Sequence, residues 1–237
     1  MIRYIDDLTL KDNRVFVRAD FNVPLDQSGE ITSDNRIQST IPTIRSVLDR
    51  GGVAVLASHL GRPKGKVNKA YSLAPVAKRL GDLLEKDVLF LEDCVGKEVE
   101  EKTRQVKAGD VLLLENLRFY PEEEKNDEGF AEQLASLADV YINDAFSACH
   151  RAHASIEAIT RFFPEKGAGF LVKEEITYFT KALEEPKRPL VAIIGGAKVS
   201  GKLEVLENLI QKVDKLLIGG GMAFTFLKAN GIEIGKS

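Results

Sequence analysis

The sequence predicts an α/β protein, a parallel sheet with helices on both faces, arranged as two domains of which the second is incomplete. Three observations carry this. Short β-branched runs alternate with amphipathic stretches along the whole chain, the pattern of successive βα units. The strand runs are almost purely apolar, as strands covered on both faces require. The alternation breaks once, near Gly167–Pro189, and then restarts.

The elements follow in order. Arg14–Ala19 (RVFVRA) reads as a buried strand, and Asp34–Arg50 as a helix with Ile37, Ile41, Ile44, Val47 and Leu48 on one face. Val53–Ser58 is a second strand. Ala74–Leu84 is helical, with Ser72 as its expected N-cap. Val88–Leu91, Val111–Leu114 and Val140–Ile142 read as further short buried strands, separated by helical patterns at Lys97–Val106 and Gly129–Ala138. A long helical stretch, Lys173–Leu183, ends in EEPKRP, where two prolines act as a stop. Then come strand Leu190–Ile194, helix Gly201–Lys212, strand Lys215–Ile218 and helix Met222–Ala229. The expected organisation is a domain over residues 1–170, a connecting helix and hinge over 171–188, and a partial second domain over 189–237. No low-complexity segment interrupts it, and nothing repeats beyond the βα unit.

Composition sets the class of function. The chain has 237 residues, is 44% hydrophobic and 29% charged, and carries a net charge of −3. Such a chain can bury a core, and its charge gives no reason to expect a nucleic acid or an anionic membrane as partner. Two cysteines without a pairing pattern fit a reducing, cytoplasmic setting. The start, MIRYIDDLTLKDNRVF, lacks the features of a signal peptide, and no apolar run approaches a membrane span.

In parallel α/β folds, ligands sit outside the carboxyl ends of the strands. Those positions here hold Asp20 and Asn22 after the first strand, and His59 and Arg62 after the second. Arg118 follows the Val111 strand, Arg151 follows the Val140 strand, and Arg36 opens the first helix. All three histidines, His59, His150 and His153, fall in the same loops. Guanidinium groups fit carboxylate and phosphate bidentately, so the cluster suggests a small polyanion, with Asp20 and Asn22 available to a hydroxyl. Each arginine taken singly could equally be a solvated surface residue, and each histidine a structural hydrogen-bonding group. Cys149-His150-x-x-His153 has no fourth ligand at finger spacing, so no metal site is expected.

Two glycine-rich segments lie in the second part. Ile194-Gly-Gly-Ala-Lys198-Val-Ser-Gly-Lys202 follows a strand and opens a helix, where free N–H groups favour phosphate. It approaches a Walker A loop, but Leu203 stands where that motif needs Ser or Thr for Mg²⁺. A tight strand–helix turn is the other reading. Gly219-Gly220-Gly221 follows the next strand, and would admit either a ligand or a close helix–strand contact. Gly231–Ser237 has three residues between its glycines and fails the P-loop pattern. There is no G-x-G-x-x-G after the first strand, against a dinucleotide fold.

Taken in order, RADFNVP (18–24), SHLGRP (58–63), LLLENLRFYPEEEKND (112–127), NDAFSACHRAHAS (143–155), IGGAKVSGK (194–202) and IGGGMAFTFLK (218–228) resemble the phosphoglycerate kinases along the whole chain. The resemblance implies a Rossmann-like, cytoplasmic, monomeric enzyme of glycolysis. Such an enzyme exchanges a phosphoryl group between 1,3-bisphosphoglycerate and MgADP, giving 3-phosphoglycerate and MgATP. It implies phosphoglycerate-binding positions at Asp20, Asn22, Arg36, His59, Arg62, Arg118 and Arg151. It implies nucleotide positions at Lys198, Lys202, Gly220 and Gly221, with Arg36 and Lys198 serving the transfer itself. Cys149 stands where the family carries a small residue such as Ala or Thr, and Gly201 often has a bulkier, commonly acidic counterpart. The family continues beyond Ser237, and its ribose-holding acidic residue and Mg²⁺-holding Asp are expected there. The 237 residues alone are therefore expected to lack turnover. A non-catalytic 3-phosphoglycerate-binding fragment is the second reading, and a P-loop NTPase a third that Leu203 argues against.

Overall fold

A computed structural model describes residues 2–184 and 186–236. The chain divides into two compact units, Met1–Glu175 and Ile176–Ser237. In the first, strands β1 (Arg14–Arg18), β2 (Val53–Ala57), β3 (Val88–Leu91), β4 (Val111–Leu114), β5 (Val140–Asn143) and β6 (Lys166–Ala168) form one sheet. Its order is β3-β4-β2-β1-β5-β6, and every pairing is parallel. The chain runs from β1 outward through β2, then returns to the other side of β1 with β5. The central strands β4, β2, β1 and β5 therefore end side by side, with Arg18 in register with both Ala57 and Asn143.

Strand alternation sends side chains to two cores. On one face Val15, Val17, Ala54, Leu56, Val140 and Ile142 pack with Ile37, Ile44 and Val47 of α1 (Asn35–Asp49) and Val76 and Leu80 of α2 (Ala74–Leu84). On the other, Phe16, Val55, Leu112, Leu114 and Tyr141 meet Val99 of α3 (Lys97–Gln105). Phe130 and Leu134, on α5 (Glu128–Ala135), join that second core. A single turn, α4 (Pro121–Glu124), precedes α5. The parallel sheet with helices on both faces is thus present.

Several details differ from the sequence reading. Val88–Leu91 is an edge strand: Leu89 is 45% exposed and only Leu91 is buried, because β3 has a neighbour on one side alone. Leu73, not Ser72, occupies the N-cap position of α2, although the Ser72 hydroxyl accepts the Ala74 N–H at 3.2 Å and donates to Glu115 at 2.7 Å. The helix expected from Gly129 to Ala138 ends at Ala135. β6 was not expected at all. Its Gly167 sits where a Cβ would lie 2.9 Å from the Arg3 carbonyl, and Ala168 N–H bonds that same carbonyl.

Helix α6 (Phe170–Leu183) runs from the first unit into the second. Its first turn is held by the strand ends: the buried Asp144 carboxylate accepts the Leu171 and Val172 N–H groups, and Thr43 Oγ1 accepts that of Phe170. Burial pushes the Asp144 carboxyl up from its ordinary value, against these hydrogen bonds. In the second unit β7 (Val191–Gly195) and β8 (Lys215–Gly219) pair in parallel, with α7 (Leu203–Ile210) and α8 (Gly221–Ala229) following them. α7 starts at Leu203, two residues later than its sequence pattern suggests, after a turn through Lys202. β7 alternates exposed and half-buried positions, and β8 does so up to its last two, both half-buried; Ile193 is 76% and Leu217 52% exposed. Among the described residues no helix is long and apolar enough to cross a membrane.

Candidate anion site at the strand ends

The four central strands end in loops that are tied to one another by side chains. Ser58 Oγ, just past β2, accepts the Phe21 N–H at 2.8 Å and donates to the Ala19 carbonyl at 2.9 Å, fixing the loop after β1. Asn22 Oδ1 accepts the Gly61 N–H at 2.8 Å, which leaves the Asn22 amide NH₂ as its donor. Asn116, just past β4, donates to the Leu60 and Tyr71 carbonyls and accepts from Arg118 N–H. Gly61 has φ +61°, and a Cβ there would lie 2.4 Å from the Tyr71 ring, so only glycine fits this corner.

These loops surround a cavity of about 280 Å³. Asn22, Arg36, His59, Arg62, Arg118 and Arg151 all line it, so six of the seven phosphoglycerate-binding positions named from the sequence converge on one space. The seventh, Asp20, stands behind Arg36 and accepts a hydrogen bond from its guanidinium. Burial alone would raise the Asp20 carboxyl. The Ser147 hydroxyl, the Asn22 N–H and the Arg36 charge reverse this, so the group ionises below its ordinary range and stays anionic. Arg118 is buried and donates to the Gly61 carbonyl at 2.8 Å. Its Nε lies 3.4 Å from Glu124 Oε1, an ion pair without hydrogen-bond geometry.

The three histidines have different fates. His59 lines the cavity, with burial and the Arg18 and Arg118 charges pushing it down to about 2. His153 is turned inward, 3.7 Å from Glu123, and burial lowers it as well. His150 is exposed beside Arg151, which donates to its Nε2 at 3.2 Å. Both cysteines are free thiols, Cys94 buried and Cys149 exposed. No group of three or more His, Cys, Asp or Glu side chains assembles a metal site among the described residues.

Sequence reasoning missed two kinds of residue. Ser147 lines the cavity and donates to Asp20, but a serine in a loop carries no signal of its own. Behind the cavity lies a buried ionic pair, Arg18 and Glu123, both fully inaccessible and 3.8 Å apart. Arg18 reads as part of an apolar strand and Glu123 as one of three glutamates in a row, so nothing local pairs them.

In the second unit the four nucleotide positions named from the sequence follow β7 and β8: Lys198 in the loop after β7 and Lys202 at the N-cap of α7, Gly220 at the N-cap of α8 and Gly221 its first residue. The Lys202 ammonium donates back to the Gly195 carbonyl, and Lys198 is exposed. Gly220 has φ +68°, and a Cβ there would lie 2.9 Å from Gly196 N; a Cβ on Gly221 would lie 3.1 Å from the Ala197 carbonyl. The glycines thus bring the two loop backbones into close approach.

Comparison with known proteins places the chain in a family. The family model for phosphoglycerate kinase matches residues 5–237. A phosphoglycerate kinase of Geobacter metallireducens is 61% identical over the whole chain, and one of Geotalea uraniireducens 60%. The chain covers 60% and 59% of these proteins, so it spans about three fifths of the length of the curated relatives it matches. Among solved structures, the phosphoglycerate kinase of Coxiella burnetii superposes with a TM-score of 0.88 at 41% identity, covering 100% of this chain and 59% of that one. That of Pyrococcus horikoshii gives 0.85 at 34% identity, covering 99% and 59%. With a family model matched over residues 5–237 and relatives this similar in sequence and fold, this chain belongs to the phosphoglycerate kinase family.

Proposed function

We propose that the protein acts as a phosphoglycerate kinase of glycolysis, reversibly transferring a phosphoryl group between 1,3-bisphosphoglycerate and MgADP to give 3-phosphoglycerate and MgATP. The observation that carries this is the convergence of Asn22, Arg36, His59, Arg62, Arg118 and Arg151 on one small cavity. Four guanidinium groups and a histidine match a ligand with a phosphate at one end and a carboxylate or acyl phosphate at the other. Asp20, held anionic, orients Arg36 and can accept from a substrate hydroxyl.

Phosphoryl transfer asks little covalent chemistry of the protein; positioning and charge stabilisation carry it. Arg36 neutralises charge on the acyl phosphate, and Lys198 stabilises the equatorial oxygens of the group in flight. Lys202, Gly220 and Gly221 serve the nucleotide. Magnesium enters with the nucleotide as part of the substrate. Action as a monomer on these diffusible substrates in the cytoplasm belongs to the same reading. A polypeptide of residues 1–237 alone is expected to bind 3-phosphoglycerate without turnover, since it spans about three fifths of the relatives' length.

The test is Arg36→Met in the full-length protein, assayed in both directions at saturating substrates. Removing one preorganised donor to developing charge lowers kcat by about 10²–10³. A variant turning over within threefold of the parent would refute the assignment of Arg36 to the transfer. Calorimetric titration of the parent with 3-phosphoglycerate checks the binding half; silence at millimolar ligand would refute the cavity as its site.

A further inference from the structure

His59 Nδ1 lies 3.2 Å from Nη2 of Arg18. A guanidinium offers five N–H donors, has no acceptor, and keeps its proton in proteins. The contact is a hydrogen bond only when Nδ1 carries a lone pair. A neutral imidazole has a single N–H, which must then sit on Nε2.

Arg18 is not free to turn elsewhere. Its side chain is fully buried, its Nε donates to Ser155 Oγ at 2.8 Å, and its Nη1 donates to the Ala19 carbonyl. The Ser155 hydroxyl passes on to Glu123 Oε1 at 2.6 Å, and the Ser155 N–H to Glu123 Oε2 at 2.9 Å. A chain therefore runs from Glu123 through Ser155 and Arg18 to the ring, built entirely from buried groups. His59 stands at its end, with the ring lining the anion cavity.

We propose that Arg18 is a positioning residue for the anion site: it holds His59 as the neutral Nε2–H tautomer, so the ring presents one fixed N–H donor to a phosphate or carboxylate oxygen. This rests on the cavity being the phosphoglycerate site. The opposite tautomer would aim a lone pair at an anion, which repels it.

The surrounding charges favour the neutral ring. Burial above all opposes protonation, followed by Arg18 from β1, Arg118 from the turn after β4 and His153 from the loop after β5, while Asp20 beyond β1 favours it. A histidine in water titrates near pH 6.5 (typical value), and this one is pushed down to about 2. The donor thus persists through the pH range in which an ordinary histidine changes charge.

The experiment is long-range ¹H–¹⁵N correlation of the imidazole rings in the full-length protein, labelled at histidine nitrogen, from pH 5 to 8, without and with 3-phosphoglycerate. His59 should show a neutral ring protonated on Nε2 at every pH. A ring protonated on Nδ1, or one that titrates near its ordinary value, would overturn the proposal. Arg18→Lys keeps the buried charge and loses the fork. In that variant the His59 tautomer should become mixed, and 3-phosphoglycerate should bind about tenfold more weakly, the worth of one hydrogen bond to a charged group. An unchanged tautomer and affinity in a folded Arg18→Lys protein would also overturn it. If that variant does not fold, the parent spectrum alone decides. The ligand-free spectrum tests the tautomer by itself, and a parent that fails to bind 3-phosphoglycerate refutes the functional reading separately.

Discussion

Glu123→Ala tests whether the buried ion pair behind the cavity holds the first unit together. Glu123 has no accessible surface, its two oxygens accept the Ser155 N–H and hydroxyl, and Arg18 lies 3.8 Å away. Truncation leaves Arg18 as an uncompensated buried charge and removes the acceptors of the Ser155 N–H and hydroxyl. Breaking a buried pair by removing one partner costs about 3–5 kcal/mol. The lost Ser155 bonds belong to the same network and are not added separately. The loss is large beside the ~5–15 kcal/mol total stability of ordinary domains. Because a longer, multi-domain protein need not unfold in two states, the assay is native-state hydrogen exchange at the Val15 and Val17 amides of β1, which report opening of this unit. Their protection should fall by about two to four orders of magnitude, at 1.4 kcal/mol per tenfold. Arg18→Met combined with Glu123→Leu removes both charges and should recover at least half of the loss, since apolar replacements of buried pairs are often neutral. A single-variant loss under about 1 kcal/mol would refute the reasoning, given the ~3–5 kcal/mol expected for a broken buried pair. So would a double variant as unstable as the two single losses summed.

Two further predictions follow from particular residues. His59 has a folded-state value pushed down to about 2 against an unfolded value of about 6.5. The unfolded chain therefore binds the extra proton, and this stability is complete above pH 6.5 and lost as pH falls below it. Between pH 6.5 and 5.0 the loss reaches at most about 2 kcal/mol, by linkage at ~1.4 kcal/mol per pH unit. Urea melts of the parent and His59→Gln at pH 7 and pH 5 should show a shallower pH dependence in the variant, and equal slopes would contradict the assignment. Gly220→Ala places a Cβ 2.9 Å from Gly196 N at a positive φ, which costs more than about 1 kcal/mol. MgADP affinity should drop several-fold by calorimetry, with 3-phosphoglycerate affinity unchanged; the opposite pattern would move Gly220 off the nucleotide side.

The fold was legible where local pattern and tertiary role coincide. β1, β2, β4 and β5 are apolar runs because both faces are covered, and α1 and α2 show their buried stripes. β6 was hidden because Lys166-Gly167-Ala168 has no pattern; it is a strand through backbone bonds to β5 and to Arg3. β3 misled for the converse reason, an apolar run at an edge. Around the cavity, Arg36, Arg62, Arg118 and Arg151 could be named because four of them fall together at strand ends and a helix start of one sheet, although each singly could be a solvated surface residue. Ser147 could not, since its contribution is one hydrogen bond to Asp20 across 127 positions. Nor could the Arg18–Glu123 pair, which depends on a separation of 105 residues that only the folded chain closes.

The cavity wall has a charge balance with consequences for selection among ligands. Four guanidinium groups face it or line it, while the carboxylates paired with them are Asp20, on Arg36, and Glu124, on Arg118. Arg62 and Arg151 are left as an excess of two positive charges. A phosphate monoester at neutral pH carries close to two negative charges, so seating its phosphate brings the wall near neutrality, whereas a monoanion of the same shape leaves it cationic. Selection by valence in this way is sensitive to ionic strength wherever the wall meets solvent, because screening acts within about 8–10 Å at ordinary salt. The rim residues Arg36 and Arg62 are exposed and Arg118 is buried. Added salt should therefore erode the outer contacts first and leave the inner one, so that ligands of different charge converge in affinity before binding is lost.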